Sequence, residues 1–282
     1  QSGHTGYAEN YLNHYDQPIR LKTIRSIVLG YFPDRLAGCD VLDIGCGTGD
    51  FINLSLRLGA SSVRGIDVSP QVLAKAADRF KGNLLVSLNQ GTVLEQLDRD
   101  QGQYDLITSI TVLQHHIKDT ELIAALKALK KSLKPRGKII VLELAPPHNV
   151  AERQYMDEVL YLVERPYKVW CNSFALAGLQ IVSEPVLPQF GITFLRGLHF
   201  LVGLLFKLRK TGEDFREGNQ VNPKSVMEQS IGLKRKIMRA GLAFARRSIL
   251  FFCYPIDHWL RLSFPPSRFR TYRVFVLEKH SD

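Results

Sequence analysis

Short apolar runs alternate with segments of helical periodicity between residues 40 and 187 of this 282-residue chain. This alternation is typical of an α/β domain built on a parallel sheet. The pattern predicts strands over residues 41–44, 62–68, 83–88, 104–110, 138–144, 179–186 and 272–279. It predicts helices over residues 50–58, 70–80 and 167–177, and a long helix that begins at Asp119.

Two regions fall outside this alternation. Residues 7–32 read as a tyrosine-rich helical segment before the first strand, and residues 190–270 form a long apolar and basic stretch between the last two strands. We therefore predict four parts: a helical lid (1–34), a core (35–189), a helical insertion (190–269) and a closing strand of the core (270–282).

The basic charge is confined to the last third of the chain. Residues 1–189 contain 20 basic and 20 acidic residues, whereas residues 190–282 contain 17 and 7. Such asymmetry favours an anionic partner, which could be a phosphorylated substrate, an acidic carrier, a membrane surface or a nucleic acid. A solvated basic face without a partner is the alternative. Nucleic acid is disfavoured, because the basic residues alternate with Leu and Phe.

Four scattered cysteines form no C-x-x-C pair and have no histidines at zinc spacing. This usage favours reduced thiols in the cytoplasm and argues against a structural metal. The insertion is compatible with a cap over a hydrophobic acceptor, a homodimer interface, or shallow membrane contact through residues 190–265.

The stretch DVLDIGCGTGD (40–50) places three glycines directly after the first strand. A glycine-rich turn between a strand and a helix lets a ligand approach the backbone, near the positive end of the helix. Asp67, at the end of the second strand, suits ribose hydroxyls. Asp43 disfavours a pyrophosphate and suits a ligand with an ammonium group and a sulfonium centre. The two acids together indicate a cationic amino-acid nucleoside.

The motifs VLDIGCGTG, GIDVSP, YDLITSITVLQHH and LKPRGKIIVLE resemble, in order, those of class I S-adenosylmethionine-dependent methyltransferases. The resemblance covers residues 35–187 and the closing strand. It implies a Rossmann-like seven-stranded sheet with helices on both faces. It also implies S-adenosylmethionine as cofactor and S-adenosylhomocysteine as product.

The resemblance further implies the cofactor contacts. The glycine loop would wrap the methionine part, Asp43 would order that loop or reach the ammonium group, and Asp67 would accept the ribose hydroxyls. Val68 would cover one face of adenine. Thr92 stands where the family often has an acid, which leaves the adenine contacts to Thr92 and Val93. The full set is Asp43, Gly45, Cys46, Gly47, Gly49, Asp67, Val68, Thr92, Val93 and Ser109.

Methyl transfer from a sulfonium is an in-line displacement that orientation of the reactants accelerates. A general base is needed only if the acceptor must lose a proton. The candidates are His115, His116 and Glu143, although each histidine could equally pack or cap a helix, and Glu143 could hold the N-terminal helix or a backbone amide. No acid cluster follows strand four, so no metal is expected.

The candidates for acceptor contact are Tyr11, Tyr15, Arg20, His148, Trp170 and Phe194, with plain packing as the alternative for each. Tyr11, Tyr15 and Arg20 could instead touch the methionine carboxylate. The sequence thus predicts a metal-independent, cytoplasmic or membrane-associated methyltransferase of biosynthesis. Its acceptor would be a small hydrophobic, carrier-linked or phosphate-bearing metabolite, methylated on oxygen rather than on nitrogen or carbon. Two alternatives stay open: a cofactor-binding scaffold without turnover, and an RNA or protein methyltransferase.

Overall fold

The computed structural model describes residues 10–98, 100–146, 153–156, 161–185 and 272–280. Side chains are described from residue 17 onward, except those of residues 153–156 and 161. The predicted insertion, His148 and Phe194 lie outside the described residues, as do the side chains of Tyr11 and Tyr15. The roles predicted for them, and the boundaries of lid and insertion, stay predictions.

The described helices are α1 (Asn10–Tyr31), α2 (Asp50–Arg57), α3 (Pro70–Arg79), α4 (Val93–Leu97), α5 (Asp119–Ser132) and α6 (Tyr167–Leu176). The strands are β1 (Asp40–Ile44), β2 (Ser62–Asp67), β3 (Val86–Gln90), β4 (Tyr104–Ile110), β5 (Leu133–Leu144), β6 (Arg153–Met156), β7 (Tyr161–Glu164), β8 (Leu179–Ser183) and β9 (Tyr272–Lys279).

Seven of these strands form one sheet in the order β3-β2-β1-β4-β5-β9-β8. The first five are parallel, and β9 runs antiparallel between β5 and β8. The predicted seven-stranded, Rossmann-like sheet is confirmed. Strand order reverses between β1 and β4, and such a switch point opens a crevice at the carboxyl ends of the strands.

Both faces of the sheet are covered by apolar side chains of helices. On one face, Ile24 and Val28 of α1 and Ile52 of α2 join a fully buried cluster. On the other, Leu126 of α5 and Trp170 of α6 join a second cluster. Because both faces are covered, the strands are apolar on both sides, which explains their nearly continuous hydrophobic runs.

The third strand begins later than predicted, at Val86 instead of residue 83. The Asn83 side chain accepts a hydrogen bond of 3.0 Å from the Leu85 N–H, which forms a local turn. Leu84 is therefore 98% exposed and precedes the strand. An apolar dipeptide in a turn was mistaken for the start of a strand.

One helix and one two-stranded hairpin were not predicted from the sequence. Helix α4 begins with a capping box, in which Thr92 and Glu95 bond each other's backbone N–H groups. Strands β6 and β7 form a separate antiparallel hairpin after β5.

Strand β5 begins earlier than predicted, at Leu133, with an irregularity in its pairing to β4. No helix within the described residues is long and apolar enough to cross a membrane.

Candidate cofactor and acceptor site

The glycine loop joins β1 to α2 at the switch point. Gly45, Gly47 and Gly49 have φ angles of +63°, +56° and +84°. L-residues with a side chain rarely adopt these left-handed conformations, so the backbone path itself requires glycine.

The three glycines face different surroundings. A Cβ added at Gly45 would lie 2.2 Å from a Val112 methyl group, and one at Gly49 would lie 2.3 Å from the Phe80 ring. A Cβ at Gly47 would meet no atom within 4 Å. Two glycines therefore allow close packing within the protein, whereas Gly47 leaves its backbone open to a ligand.

Asp67 connects the end of β2 to this loop. Its Oδ2 accepts a hydrogen bond of 2.9 Å from the Gly47 N–H, and its Oδ1 accepts one of 2.9 Å from the Ser69 N–H. Each carboxylate oxygen can accept a further hydrogen bond. Asp67 thus shapes the loop and still has the capacity to accept ribose hydroxyls.

Asp43 lies in β1 beneath the loop and is 2% exposed. Its Oδ1 accepts a hydrogen bond of 2.6 Å from the Thr108 hydroxyl, whereas its Oδ2 has no hydrogen-bond partner within the described part of the chain. Burial raises the pKa of Asp43 to about 7, against the opposing effect of Thr108. A cationic group near the loop would supply the missing counter-charge.

Buried polar atoms without a hydrogen-bond partner are concentrated at the edge of the described sheet that is formed by the carboxyl ends of its parallel strands. They belong to the side chains of Asp43, Ser109, Gln114, Glu143, Arg165 and Arg273. Asp43, Ser109 and Glu143 lie at the carboxyl ends of β1, β4 and β5, and Gln114 follows β4. Arg273 lies at the start of β9, opposite Glu143, and Arg165 just before α6. Leaving such groups unpaired is costly, so their concentration marks the edge as a ligand site.

Glu143 holds the segment that follows β4. Its Oε1 accepts hydrogen bonds of 2.9 Å from the Val112 N–H and 2.7 Å from the Leu113 N–H. Burial raises the pKa of this carboxyl to about 8, although the backbone donors and Arg20 oppose the rise. Of the roles predicted for Glu143, the structure shows the contact with backbone amides; a catalytic role stays a prediction.

Arg20 brings α1 to the same edge. It is 1% exposed, its Nη1 lies 3.5 Å from the Thr111 hydroxyl oxygen, and its guanidinium lies 5.1 Å from the centre of the Tyr272 ring. Thr111 has a φ of +59°, a strained conformation for a β-branched residue and one often found at functional sites. This position is compatible with the contact predicted for Arg20.

His115 and His116 end the 3₁₀ turn Leu113–His115, which follows β4. His115 is exposed and His116 is half-buried. Desolvation by burial lowers the pKa of His116. A neutral imidazole can accept a proton, so His116 keeps the chemistry of a base, and its catalytic role stays a prediction.

Arg165 holds the far end of the same segment. Its Nη2 donates hydrogen bonds of 2.7 Å to the His116 carbonyl and 3.1 Å to the Ile117 carbonyl, and its Nε donates one of 2.8 Å to Asp119. A fully buried arginine bound to backbone carbonyls fixes that backbone in place. Sequence reasoning missed this residue, because nothing in the pattern links β7 to the segment after β4.

Of the residues predicted to contact adenine, only some have side chains that a ligand can reach. Val68 is 63% exposed directly after Asp67, as expected for an apolar residue reserved for a ligand. Thr92 uses its hydroxyl in the α4 capping box, and the Val93 side chain is buried. This placement favours the exposed Val68 over the Thr92 hydroxyl as an adenine contact.

Trp170 lies within the core, next to this edge. It is 0% exposed, and its indole N–H donates a hydrogen bond of 3.2 Å to the Leu144 carbonyl. This placement favours a packing role over the predicted contact with the acceptor. Cys46, in the glycine loop, is buried, and burial raises the pKa of its thiol, which suits packing and not nucleophilic chemistry.

These residues fit S-adenosylmethionine. Five features lie on neighbouring strand ends: the open backbone at Gly47, the hydroxyl-accepting Asp67, the exposed Val68, and the Oδ2 of Asp43 and Oγ of Ser109, which are unpaired among the described residues. Among the described residues, no group of three His, Cys, Asp or Glu side chains is arranged to hold a metal ion.

Residues 41–137 match the family model described as a methyltransferase domain. The core of this chain therefore contains a methyltransferase domain, as the four motifs predict. The family predicted from the four motifs is thereby confirmed.

Two relatives of this methyltransferase core are named as O-methyltransferases. A magnesium-protoporphyrin O-methyltransferase of Rhodobacter capsulatus is 34% identical over 96 residues, which are 33% of this chain and 41% of the relative. A ubiquinone biosynthesis O-methyltransferase of Sodalis glossinidius is 32% identical over 127 residues, 45% of this chain and 47% of the relative. The chain spans about half the length of these relatives.

Solved structures share the fold at lower identity. A S-adenosylmethionine-dependent methyltransferase of Leishmania major has a TM-score of 0.53 at 18% identity, covering 63% of this chain and 68% of its own. A cyclase has a TM-score of 0.53 at 18% identity, covering 92% of this chain and 81% of its own. Since the second protein is named for a different reaction, the fold alone does not define the chemistry.

Proposed function

We propose that this chain transfers the methyl group of S-adenosylmethionine to a small-molecule acceptor and releases S-adenosylhomocysteine. The observation that carries the proposal is the open Gly47 backbone beside Asp67, with Asp43 Oδ2 and Ser109 Oγ on adjoining strands unpaired among the described residues.

When bound, the cofactor supplies an electrophilic methyl group on a sulfonium sulfur. The chain's own contribution is to bind and orient. The glycine loop and Asp67 would hold the amino-acid nucleoside, and the segment after β4, fixed by Glu143 and Arg165, would position the acceptor. Orientation of this kind can supply a large part of the rate enhancement.

We further propose that the methyl group is transferred to oxygen rather than to nitrogen or carbon. The reaction would be a metal-independent step of a biosynthetic pathway. Two relatives named as O-methyltransferases, one of them assigned to ubiquinone biosynthesis, support this choice. The basic last third of the sequence supports an acceptor that is anionic, phosphate-bearing or carrier-linked. His116 is the candidate base for a hydroxyl, because its lowered pKa keeps it neutral.

The proposal is tested with tritiated S-adenosylmethionine and a small-molecule extract of the source organism. The protein is incubated with both, and label is measured in the extract fraction and in the protein and RNA fractions. Label in a small molecule supports the proposal. Binding of S-adenosylhomocysteine without transfer to any fraction would favour a scaffold, and label in RNA or protein would favour a macromolecular substrate.

A further inference from the structure

Gln114 lies in the 3₁₀ turn after β4 and is 6% exposed. Its side-chain Oε1 is buried and has no hydrogen-bond partner among the residues that the structure describes. Most buried carboxamides in folded proteins are satisfied, because an unpaired one loses its hydration without compensation. An unpaired carboxamide at a ligand edge therefore indicates that its partner is a ligand.

The backbone around Gln114 is fixed from both sides. Glu143 accepts hydrogen bonds from the N–H groups of the two preceding residues, and Arg165 donates to the carbonyls of His116 and Ile117. Since these contacts all involve backbone atoms, they leave the Gln114 side chain uncommitted. The turn thus presents one uncommitted, buried hydrogen-bonding group in a fixed position.

The strand order indicates which ligand Gln114 meets. The glycine loop follows β1, and Val112 packs against Gly45 of that loop. The N–H groups of Val112 and Leu113 both bind Glu143 of β5, which lies on the opposite side of β4 from β1. Gln114 follows this bound pair in the turn, beyond the residue that packs against the cofactor loop, which leaves its side chain for the acceptor.

We propose that the Gln114 carboxamide accepts a hydrogen bond from an O–H or N–H group of the methyl acceptor and so selects acceptors that carry such a donor. This inference rests on the proposed methyl transfer. It limits the acceptor to molecules with a protic polar group close to the methylated atom, and it gives a specificity-determining role to a motif residue to which the sequence analysis assigned none.

The test compares Gln114→Met with Gln96→Met. Methionine resembles glutamine in length but accepts hydrogen bonds poorly. Gln96 is the matched control, because its Nε2 donates to the Gln90 carbonyl at 2.9 Å and its Oε1 accepts from Arg64 at 3.0 Å. Melting temperature, affinity for S-adenosylhomocysteine, and transfer of tritiated methyl into a dilution series of the small-molecule extract are measured.

For Gln114→Met we expect an unchanged or raised melting temperature, unchanged affinity for S-adenosylhomocysteine, and a half-saturating extract concentration raised about three- to tenfold. Gln96→Met should lower the melting temperature. An unchanged half-saturating concentration in Gln114→Met, or a melting temperature lowered as much as in Gln96→Met, would overturn the assignment of Gln114 alone. Absence of transfer by the wild-type protein would overturn the proposed function, and the inference with it.

Discussion

The Gly47 N–H donates a hydrogen bond of 2.9 Å to Oδ2 of Asp67. This contact joins the loop after the first strand to the end of the second strand, 20 residues later in the chain. One carboxylate therefore both shapes the loop and faces the position expected for the ribose. Changes at Asp67 should affect loop and ligand together.

Replacing Asp67 by Ala should weaken S-adenosylhomocysteine binding strongly. A hydrogen bond to a charged group contributes roughly 1.5–3 kcal/mol, so a loss of ten- to a hundredfold in affinity is expected. Isothermal titration calorimetry measures it. Asp78→Ala, at an exposed acid of α3, serves as the control. Equal affinities in Asp67→Ala and wild type would remove Asp67 from the site.

Alanine substitutions should separate the two roles of the glycine loop. Gly47→Ala carries only the strain of a left-handed residue, about 1–2 kcal/mol, and should fold but bind S-adenosylhomocysteine poorly. Gly45→Ala adds an overlap with Val112 and should lose more stability, about 2–4 kcal/mol in total. Thermal unfolding and calorimetry measure the two effects. A Gly47→Ala protein with wild-type affinity would contradict the assignment of the open backbone to the ligand.

Replacing Val68 by Ser should weaken cofactor binding without destabilising the fold. Val68 is 63% exposed, so its apolar surface contributes little to folding, but it would cover adenine. Stability should stay within about 0.5 kcal/mol and affinity should fall roughly three- to tenfold. Leu84→Ser, at a residue that is 98% exposed and remote from the loop in sequence, should change neither quantity. Equal affinity losses in both variants would refute a specific contact.

Glu143→Gln should make stability less sensitive to alkaline pH. A glutamate carboxyl in the unfolded chain has a pKa of about 4.3, whereas burial in the folded protein raises the pKa of Glu143 to about 8. Between these values the folded protein retains a proton that the unfolded chain releases, so the free energy of unfolding falls as pH rises through this window. Glutamine keeps an oxygen for the Val112 and Leu113 amides and does not titrate.

The stability of Glu143→Gln relative to wild type should therefore increase between pH 5 and pH 9, by roughly 2–4 kcal/mol. Urea unfolding at several pH values measures this difference. Glu121→Gln, on the accessible face of α5, should show no such trend, since 46% of that side chain is exposed. A constant difference between Glu143→Gln and wild type would show that Glu143 is ionised throughout.

Local pattern predicted most of the fold. The first, second and fourth strands, and the helices that follow the first two, were placed within one or two residues, because apolar runs and glycine or proline boundaries are local signals. The third strand was misplaced because Asn83 forms a turn with Leu85, a contact between side chain and backbone that apolar content conceals. Helix α4 and the β6–β7 hairpin are too short to give a clear periodic signal.

The sequence predicted the cofactor-binding residues of the site better than the residues around the acceptor. Asp43, the glycine loop and Asp67 belong to motifs that the chain carries in continuous stretches, so they could be found without a structure. The roles of Gln114 and Arg165 could not, because that of Gln114 depends on its burial without a partner among the described residues and that of Arg165 on contacts between distant segments. The interpretation of Trp170 as an acceptor contact also relied on residue type, and only its burial against Leu144 and Phe174 reveals a core position.

By itself the sequence determined the alternation of strands and helices, the glycine loop with its two acids, and the family to which the core belongs. The tertiary structure decided that β9 lies between β5 and β8, that Glu143 and Arg165 fix the segment after β4, and which buried polar atoms lack partners. The physical reason is the separation along the chain over which each signal acts. Periodicity and turn chemistry depend on neighbours a few residues apart, whereas burial and hydrogen-bond satisfaction depend on what folding brings alongside.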